Sequence, residues 1–223
     1  MLCPVRCALS QDWNRVDFFE KIASSYDTIL DLLSIGLYRR FLRKAVEILA
    51  PGKGERILDI CSGTGRVASW MAQAVGSGGE IVGMDMAAGM VEVAKSRYGG
   101  LTNTLFLQKD VTEPWGYQNY FDGIFASFSL HEIGETERPR VIQQSFMALK
   151  EKGRMVIADF NPQLSGIRRI LLLIFFKLFE RENLDFLSLK LEEILERAGF
   201  RRIQTFPVLS GLFLITIVYR NQN

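Results

Sequence analysis

The chain has 223 residues, enough for one generous domain or a core with a small cap and too few for two full enzyme domains. Its 27 basic and 25 acidic residues leave a net charge of +2 with no long single-sign run, which argues against a nucleic-acid surface and for a small-molecule partner. A chain of this size buries roughly 70% of the surface its unfolded form exposes, so it needs neither disulfides nor a structural metal. Cys3, Cys7 and Cys61 lack metal-ligand spacing, and with His131 as the only histidine no zinc site is expected. Met1 to Val16 contains no continuous apolar stretch of the secretory kind, and the longest apolar run, Ile170 to Phe176, falls far short of the roughly 20 residues of a spanning helix. The expectation is a cytoplasmic protein that does not cross a membrane.

From Asp12 to Leu49 the apolar residues Phe18, Phe19, Ile22, Ala23 and Tyr26, then Leu37, Phe41, Ala45, Ile48 and Leu49, follow helical spacing and predict a helical preface. After Pro51 and Gly54 short apolar strands alternate with amphipathic helices, the pattern of a parallel sheet covered on both faces. The predicted strands are Arg56 to Ile60, Glu80 to Asp85, Thr104 to Gln108, Phe121 to Ser127 and Arg154 to Phe160. Helices are predicted near Thr64 to Val75, Gly89 to Tyr98 and Glu137 to Lys150. Ile167 to Phe179 reads as an apolar helix carrying Arg168, Arg169 and Lys177, either core or a greasy lid. Leu187, Leu191, Ile194, Leu195 and Ala198 form a helical stripe closed by Gly199, and two strands, Arg201 to Val208 and Leu212 to Tyr219, meet at Ser210-Gly211. The prediction is an α/β fold in a single domain, residues 1–223. A helical cap (1–50) precedes a doubly wound, Rossmann-like core (51–223) of seven strands, mostly parallel with the last antiparallel, and lid helices lie near 165–198.

In an open parallel sheet ligands bind beyond the carboxyl ends of the strands. The first strand-to-helix turn here is Asp59-Ile60-Cys61-Ser62-Gly63-Thr64-Gly65, in which Gly63 and Gly65 let the backbone bend and approach a ligand. Gly63 to Ala68 also matches the G-x-G-x-x-G/A pattern of nicotinamide enzymes, but Asp59 would repel a pyrophosphate at that helix start. S-adenosylmethionine carries an ammonium and a sulfonium and no phosphate, so Asp59 attracts it, besides serving as a turn cap. Asp85 stands 22 residues beyond Gly63 and suits ribose hydroxyls, or an N-cap of the next helix. Asp110, after Thr104 to Gln108, suits an adenine amino group, with Met86 and Val111 against the ring.

The segments LDICSGTG, VGMDMAAGM, LQKDV and FDGIFASFSL resemble the cofactor motifs of class I S-adenosylmethionine-dependent methyltransferases. FFEKIASSYD and DLLSIGLYRRFLRKA resemble the preface of the ubiquinone/menaquinone biosynthesis C-methyltransferases, over about Phe18 to Asn161 and again at ERAGF. The resemblance implies cofactor contacts by Thr64, Asp85, Asp110, Val111 and Ser127, with Tyr26 covering the cofactor. Where that family typically continues with Arg-Asn after the Phe121 to Ser127 strand, this chain reads Leu130-His131-Glu132, and its stretch from Asn161 to Gly199 is shorter.

Methyl transfer asks a protein for positioning and exclusion of water rather than for a nucleophile. A neutral oxygen or ring carbon must also lose a proton. His131, just after the Phe121 to Ser127 strand, is the candidate general base, and Glu132 is a weaker one. The acceptor is expected to be small and apolar or amphipathic, with peripheral membrane contact through the Ile167 to Phe179 helix. The alternatives are a non-catalytic protein that binds S-adenosylmethionine and recruits a partner or membrane, and an NAD-dependent oxidoreductase. No tyrosine has a lysine four residues later, and no N/D-P-P-Y/F motif of nucleic-acid methyltransferases occurs.

Overall fold

A computed structural model describes residues 9–179 and 181–220; the readings placed on Cys3, Cys7 and residues 1–8 lie outside these. The preface divides into three helices, α1 (Leu9–Ile22), α2 (Tyr26–Leu33) and α3 (Leu37–Leu49). The core follows as β1 (Arg56–Ile60), α4 (Arg66–Val75), β2 (Glu80–Asp85), α5 (Ala88–Tyr98), β3 (Thr104–Gln108), β4 (Phe121–Ser127), α6 (Arg138–Ala148) and β5 (Leu149–Phe160). Then come α7 (Gly166–Phe179), a 3-10 segment (Arg181–Ser188), α8 (Leu191–Ala198), β6 (Phe200–Val208) and β7 (Phe213–Arg220).

The seven strands lie in the order β3-β2-β1-β4-β5-β7-β6. Strands β1 to β5 pair in parallel, and only β7 runs against its neighbours β5 and β6. Period-two alternation splits the apolar residues between two cores. Leu58, Ile60, Val82, Met84, Ile124 and Met155 face α6, α7 and α8, whereas Ile57, Ile81, Phe125, Val156 and Ile217 face α3, α4 and α5. The chain begins at β1, runs outward to β3, then crosses to β4, so the switch point falls between β1 and β4.

Three boundaries differ from the sequence pattern, each for a local reason. Helix α4 starts at Arg66 because Gly63 (φ 52°) and Gly65 (φ 74°) hold left-handed backbone. Strand β5 starts at Leu149, which pairs with Phe121 before a register shift brings Arg154 opposite Gly123. The stripe beginning at Leu187 enters through the 3-10 segment, and its α-helix begins at Leu191. Helix α7 is neither buried all round nor free: Leu172 and Phe176 are core residues, while Ile167, Ile170, Leu171 and Ile174 are exposed.

Arg154 on β5 fastens α3 to the sheet. Its guanidinium donates to the carbonyls of Leu49, Ala50 and Asp122 and forms two hydrogen bonds with the Glu55 carboxylate. Burial pushes the Glu55 pKa up, but the Arg154 hydrogen bonds and the Gly52 N–H outweigh it and hold the carboxyl below its ordinary 4.5. Replacing Arg154 by Leu leaves the α3 carbonyls and Glu55 unanswered and is expected to lower stability by about 2 kcal/mol in urea unfolding at pH 7. A carboxyl with a lowered folded pKa contributes stability above its unfolded value, lost as pH falls through the folded value. The difference between wild type and Arg154→Leu should therefore shrink below about pH 4.5.

Candidate active site

At the carboxyl ends of β1 and β4 two non-glycine residues take left-handed backbone, Cys61 (φ 54°) and Phe128 (φ 47°). Such geometry is strained and persists where the surroundings enforce it. Both turns flank the switch point between β1 and β4, where an open doubly wound sheet leaves its ligand crevice. Ser127, the last residue of β4, lies half-buried immediately before that turn.

The glycine loop is fixed from two sides. From β2, the Asp85 carboxylate accepts Gly63 N–H at 2.8 Å and Ala87 N–H at 3.0 Å, so it also closes the turn into α5. A side chain at Gly65 would come within 2.9 Å of Ala94 and Phe106, so the loop packs backbone directly onto α5 and β3. From the preface, buried Asp27 accepts the Thr64 hydroxyl at 2.8 Å and Arg97 Nη1 at 2.7 Å, and pairs with Arg66 Nε at 3.2 Å. Arg66 continues to Asp31 at 2.9 Å. The Asp27 cluster was not visible in the sequence pattern; only the Tyr26-Asp27 pair at a helix start hinted at it.

The acids predicted to flank the cofactor stand around this loop. Asp59 is buried within β1, and its Oδ2 has no hydrogen-bond partner among the described residues. Burial, with the Asp85 charge behind it, pushes the Asp59 pKa well above its ordinary value. Burial also raises Asp85, only partly offset by the N–H groups of Ala87, Gly63 and Met86. The Cys61 thiol is raised by burial and, after that, by the charges of Asp85, Glu132, Asp59 and Asp110. Asp110 Oδ1 closes an Asx turn with Thr112 at 2.8 Å. Val111 is buried, while the Met86 side chain is 45% exposed at the end of β2.

Tyr26 begins α2 and shares a hydrogen bond with Tyr38 on α3. Burial, beside the charges of Glu132, Asp27 and Asp85, pushes its phenol up to about 12, so it enters the crevice as a neutral donor. Next to it runs an aromatic wall. Phe128 lies 5.4–5.5 Å from Tyr38, Phe41, Phe160 and Phe213, and Phe160 continues to Phe175 and Phe176 on α7.

His131 sits behind this wall, 4% exposed, with Nδ1 2.7 Å from Asp159 Oδ1 on β5 and Nε2 3.4 Å from Glu132 Oε1. Burial pulls its pKa down, but the charge and hydrogen bond of Asp159, joined by Glu132, carry it up to about 10. At neutral pH the imidazole therefore holds its proton. Asp159, like Asp27, belongs to the site and went unnoticed in the sequence, because β5 reads as an uninterrupted apolar strand around it.

A cleft ringed by carboxylates, with one buried acceptor unanswered, repels a pyrophosphate and attracts an ammonium and a sulfonium. The residues present thus fit S-adenosylmethionine, and with the doubly wound fold they define a class I S-adenosylmethionine-dependent methyltransferase. The comparisons agree: the ubiE/COQ5 methyltransferase family matches residues 9–182, and the chain belongs to that family. It is 29% identical over 226 residues to a 2-phytyl-1,4-naphtoquinone methyltransferase of Thermosynechococcus vestitus, covering 91% of this chain and 97% of that enzyme. It is 30% identical over 151 residues to the ubiquinone/menaquinone biosynthesis C-methyltransferase UbiE of Photorhabdus laumondii, covering 66% of this chain but only 59% of the enzyme's length. Among solved structures, a SAM-dependent methyltransferase from Aquifex aeolicus shares the fold with a TM-score of 0.59 at 18% identity, covering 80% and 88% of the two chains. The [4+2]-cyclase SpnF does so at 0.61 and 19%, covering 82% and 81%, so the chemistry must be argued from the site rather than the fold.

Asp27→Ala removes the shared partner of Thr64, Arg66 and Arg97. The expected outcome is a loss of S-adenosylhomocysteine affinity of roughly tenfold or more, from a loop no longer held, with faster hydrogen exchange across residues 18–33. Calorimetry and exchange mass spectrometry check both effects; unchanged affinity would show that the loop is fixed by Asp85 alone.

Proposed function

We propose that the chain transfers the methyl group of S-adenosylmethionine to a ring carbon of a small quinol-type acceptor, apolar or amphipathic, taken up at a membrane surface. The observation that carries this reading is the aromatic wall of Phe128, Phe160 and Phe213, whose ring centres lie 5.3–5.5 Å apart beside the strand-end turn at Phe128. Such a wall suits a planar ring and gives a sugar, nucleotide or amino acid no polar partner. The names of the Thermosynechococcus and Photorhabdus enzymes, both quinone methyltransferases, support the same acceptor class.

The cofactor supplies an electrophilic methyl on sulfur; the chain supplies place and dryness. In this reading Gly63, Thr64 and Gly65 form the floor, and Asp59 answers the ammonium. Asp85 accepts from the ribose hydroxyls, and Asp110 accepts from the adenine amino group between Met86 and Val111. Ser127 lies where the methyl is delivered, and Tyr26 covers the crevice with a neutral hydroxyl that does not compete for the sulfonium. His131 belongs to the acceptor side.

No described helix is long and apolar enough to cross a membrane. A peripheral contact is instead proposed through α7, whose Ile167, Ile170, Leu171 and Ile174 are exposed beside Arg168, Arg169 and Lys177. The cysteine pattern makes the cytoplasm the proposed compartment.

Incubation with labelled S-adenosylmethionine and a 2-prenyl-1,4-naphthoquinol in vesicles should yield a ring-methylated product. Label on oxygen, or none with any quinol tested, would overturn the acceptor. Asp85→Ala should weaken S-adenosylhomocysteine binding by about 1.5 to 3 kcal/mol in calorimetry, while NAD binds neither protein measurably. For the membrane contact, the protein should sediment with phosphatidylglycerol vesicles more than with phosphatidylcholine ones, and Leu171→Glu should abolish the difference.

A further inference from the structure

We propose that Glu132 is the group that accepts the proton released by the acceptor, and that Asp159 and His131 form the positioning pair that aims it. The inference rests on the methyl-transfer reading above and names the residues that complete that chemistry.

The geometry runs from the inside outward. The Asp159 carboxylate is occupied by three donors: the His131 ring at 2.7 Å, His131 N–H at 3.2 Å and Phe160 N–H at 2.8 Å. The imidazole is enclosed edge-on by Phe128, Phe160, Phe176 and Phe186, with ring centres 5.1–6.3 Å away. The nearby buried cation Arg138 is turned aside, its guanidinium given to the Leu130 carbonyl and to Asp185 of the 3-10 segment. One polar direction remains open to the His131 ring, and it leads from Nε2 to Glu132.

Glu132 is placed differently from the pair behind it. Its side chain keeps 22% exposure against 5% for His131, and its charge acts on both Tyr26 and Cys61, which border the crevice. It is therefore the most exposed of the three, Asp159 keeping 6%. A protonated His131 has no lone pair with which to act as a base, but it can donate Nε2–H to the Glu132 carboxylate and fix its direction. With Asp159 behind it, the arrangement is carboxylate, imidazolium, carboxylate, and the outermost group does the chemistry.

The step balances as follows. The ring π pair of the acceptor forms the new carbon–carbon bond as the carbon–sulfur bond breaks, leaving its pair on sulfur. The ring carbon then carries both a hydrogen and the methyl group. That proton passes to the Glu132 carboxylate while the C–H pair returns to the ring, and Glu132 releases the proton to water after the product leaves.

Because the chain contains one histidine, its imidazole gives a single set of NMR signals. In protein saturated with S-adenosylhomocysteine, those signals should titrate near pH 10 in wild type, and at lower pH in both Asp159→Asn and Glu132→Gln. Adding 1,4-dihydroxy-2-naphthoate as a stable ring probe should shift them in wild type and not in Glu132→Gln. With the naphthoquinol, Glu132→Gln should lose roughly 10²- to 10⁴-fold in kcat at unchanged KM for S-adenosylmethionine. Glu132→Asp should recover part of that loss, and Asp159→Asn should move the alkaline limb of the pH–rate profile toward neutral pH. The proposal is overturned if Glu132→Gln keeps kcat within threefold of wild type, or if the histidine signals ignore both that substitution and the probe. Failure of wild type to methylate any quinol overturns the acceptor reading instead, and the histidine titration still decides the coupling.

Discussion

The buried carboxylate of Asp27 is the contact on which the arrangement of this site depends. An ionised group that deep is tolerated only when its lone pairs are fully answered, and removing one partner of such a cluster costs more than the cluster contributes. Asp27 is answered from three elements: Thr64 in the glycine loop, Arg66 at the start of α4 and Arg97 near the end of α5. Arg97 also reaches the Ser24 carbonyl at 2.7 Å, so the turn between α1 and α2 is drawn into the same cluster. The preface is thus held in place by the glycine loop. Anything that shifts Thr64 or Arg66 disturbs the partners of a buried charge, and so the position of Tyr26 beside it.

The same economy governs the strand ends. Cys61 and Phe128 adopt backbone that branched or bulky side chains rarely take, at the two strands flanking the switch point. The turn at Phe128 lays Ser129 to Glu132 back over the sheet and puts the Phe128 ring among four other aromatic rings, whose packing offsets the strain. The aromatic wall, the His131–Asp159 pair and the placement of Glu132 all follow from that one turn. Helix α7 joins them through Phe175 and Phe176, and it buries only a narrow stripe: Ile167, Ile170, Leu171 and Ile174 are exposed among the described residues.

The parts of this molecule that were legible in the sequence are those written in short-range periodicity. Strands β1 to β5 and the β6–β7 hairpin could be read because residues two apart share a face, and the glycine loop because left-handed backbone favours glycine and a side chain at position 65 would meet Ala94 and Phe106. Asp59, Asp85 and Asp110 could be read because each stands at or near the end of an apolar strand. Asp27 and Asp159 could not. Their roles depend on partners 28 to 70 residues away, at Thr64, Arg97 and His131, and no local pattern encodes such a distance. His131 was visible as the only histidine, but its charge state was not, because that is set by a carboxylate on a neighbouring strand. The start of β5 was hidden because Glu151, Lys152 and Gly153 carry no apolar alternation, and they form the bulged entry to the strand.

The electrostatics of the crevice connect these elements to function. Asp59, Asp85 and the Cys61 thiol all have raised pKa values, burial being the first cause in each case and neighbouring acids adding to it at Asp59 and Cys61. For a carboxyl the sign is unfavourable: a folded pKa above the unfolded one means that stability is lost as pH rises through that interval. Asp59 Oδ2 is buried without a hydrogen-bond partner among the described residues. A cation bound there answers Asp59 and screens Asp85. A ligand that binds only the folded state stabilises it by mass action. Asp85 and Asp27 hold the same loop from opposite sides, through Gly63 and Thr64.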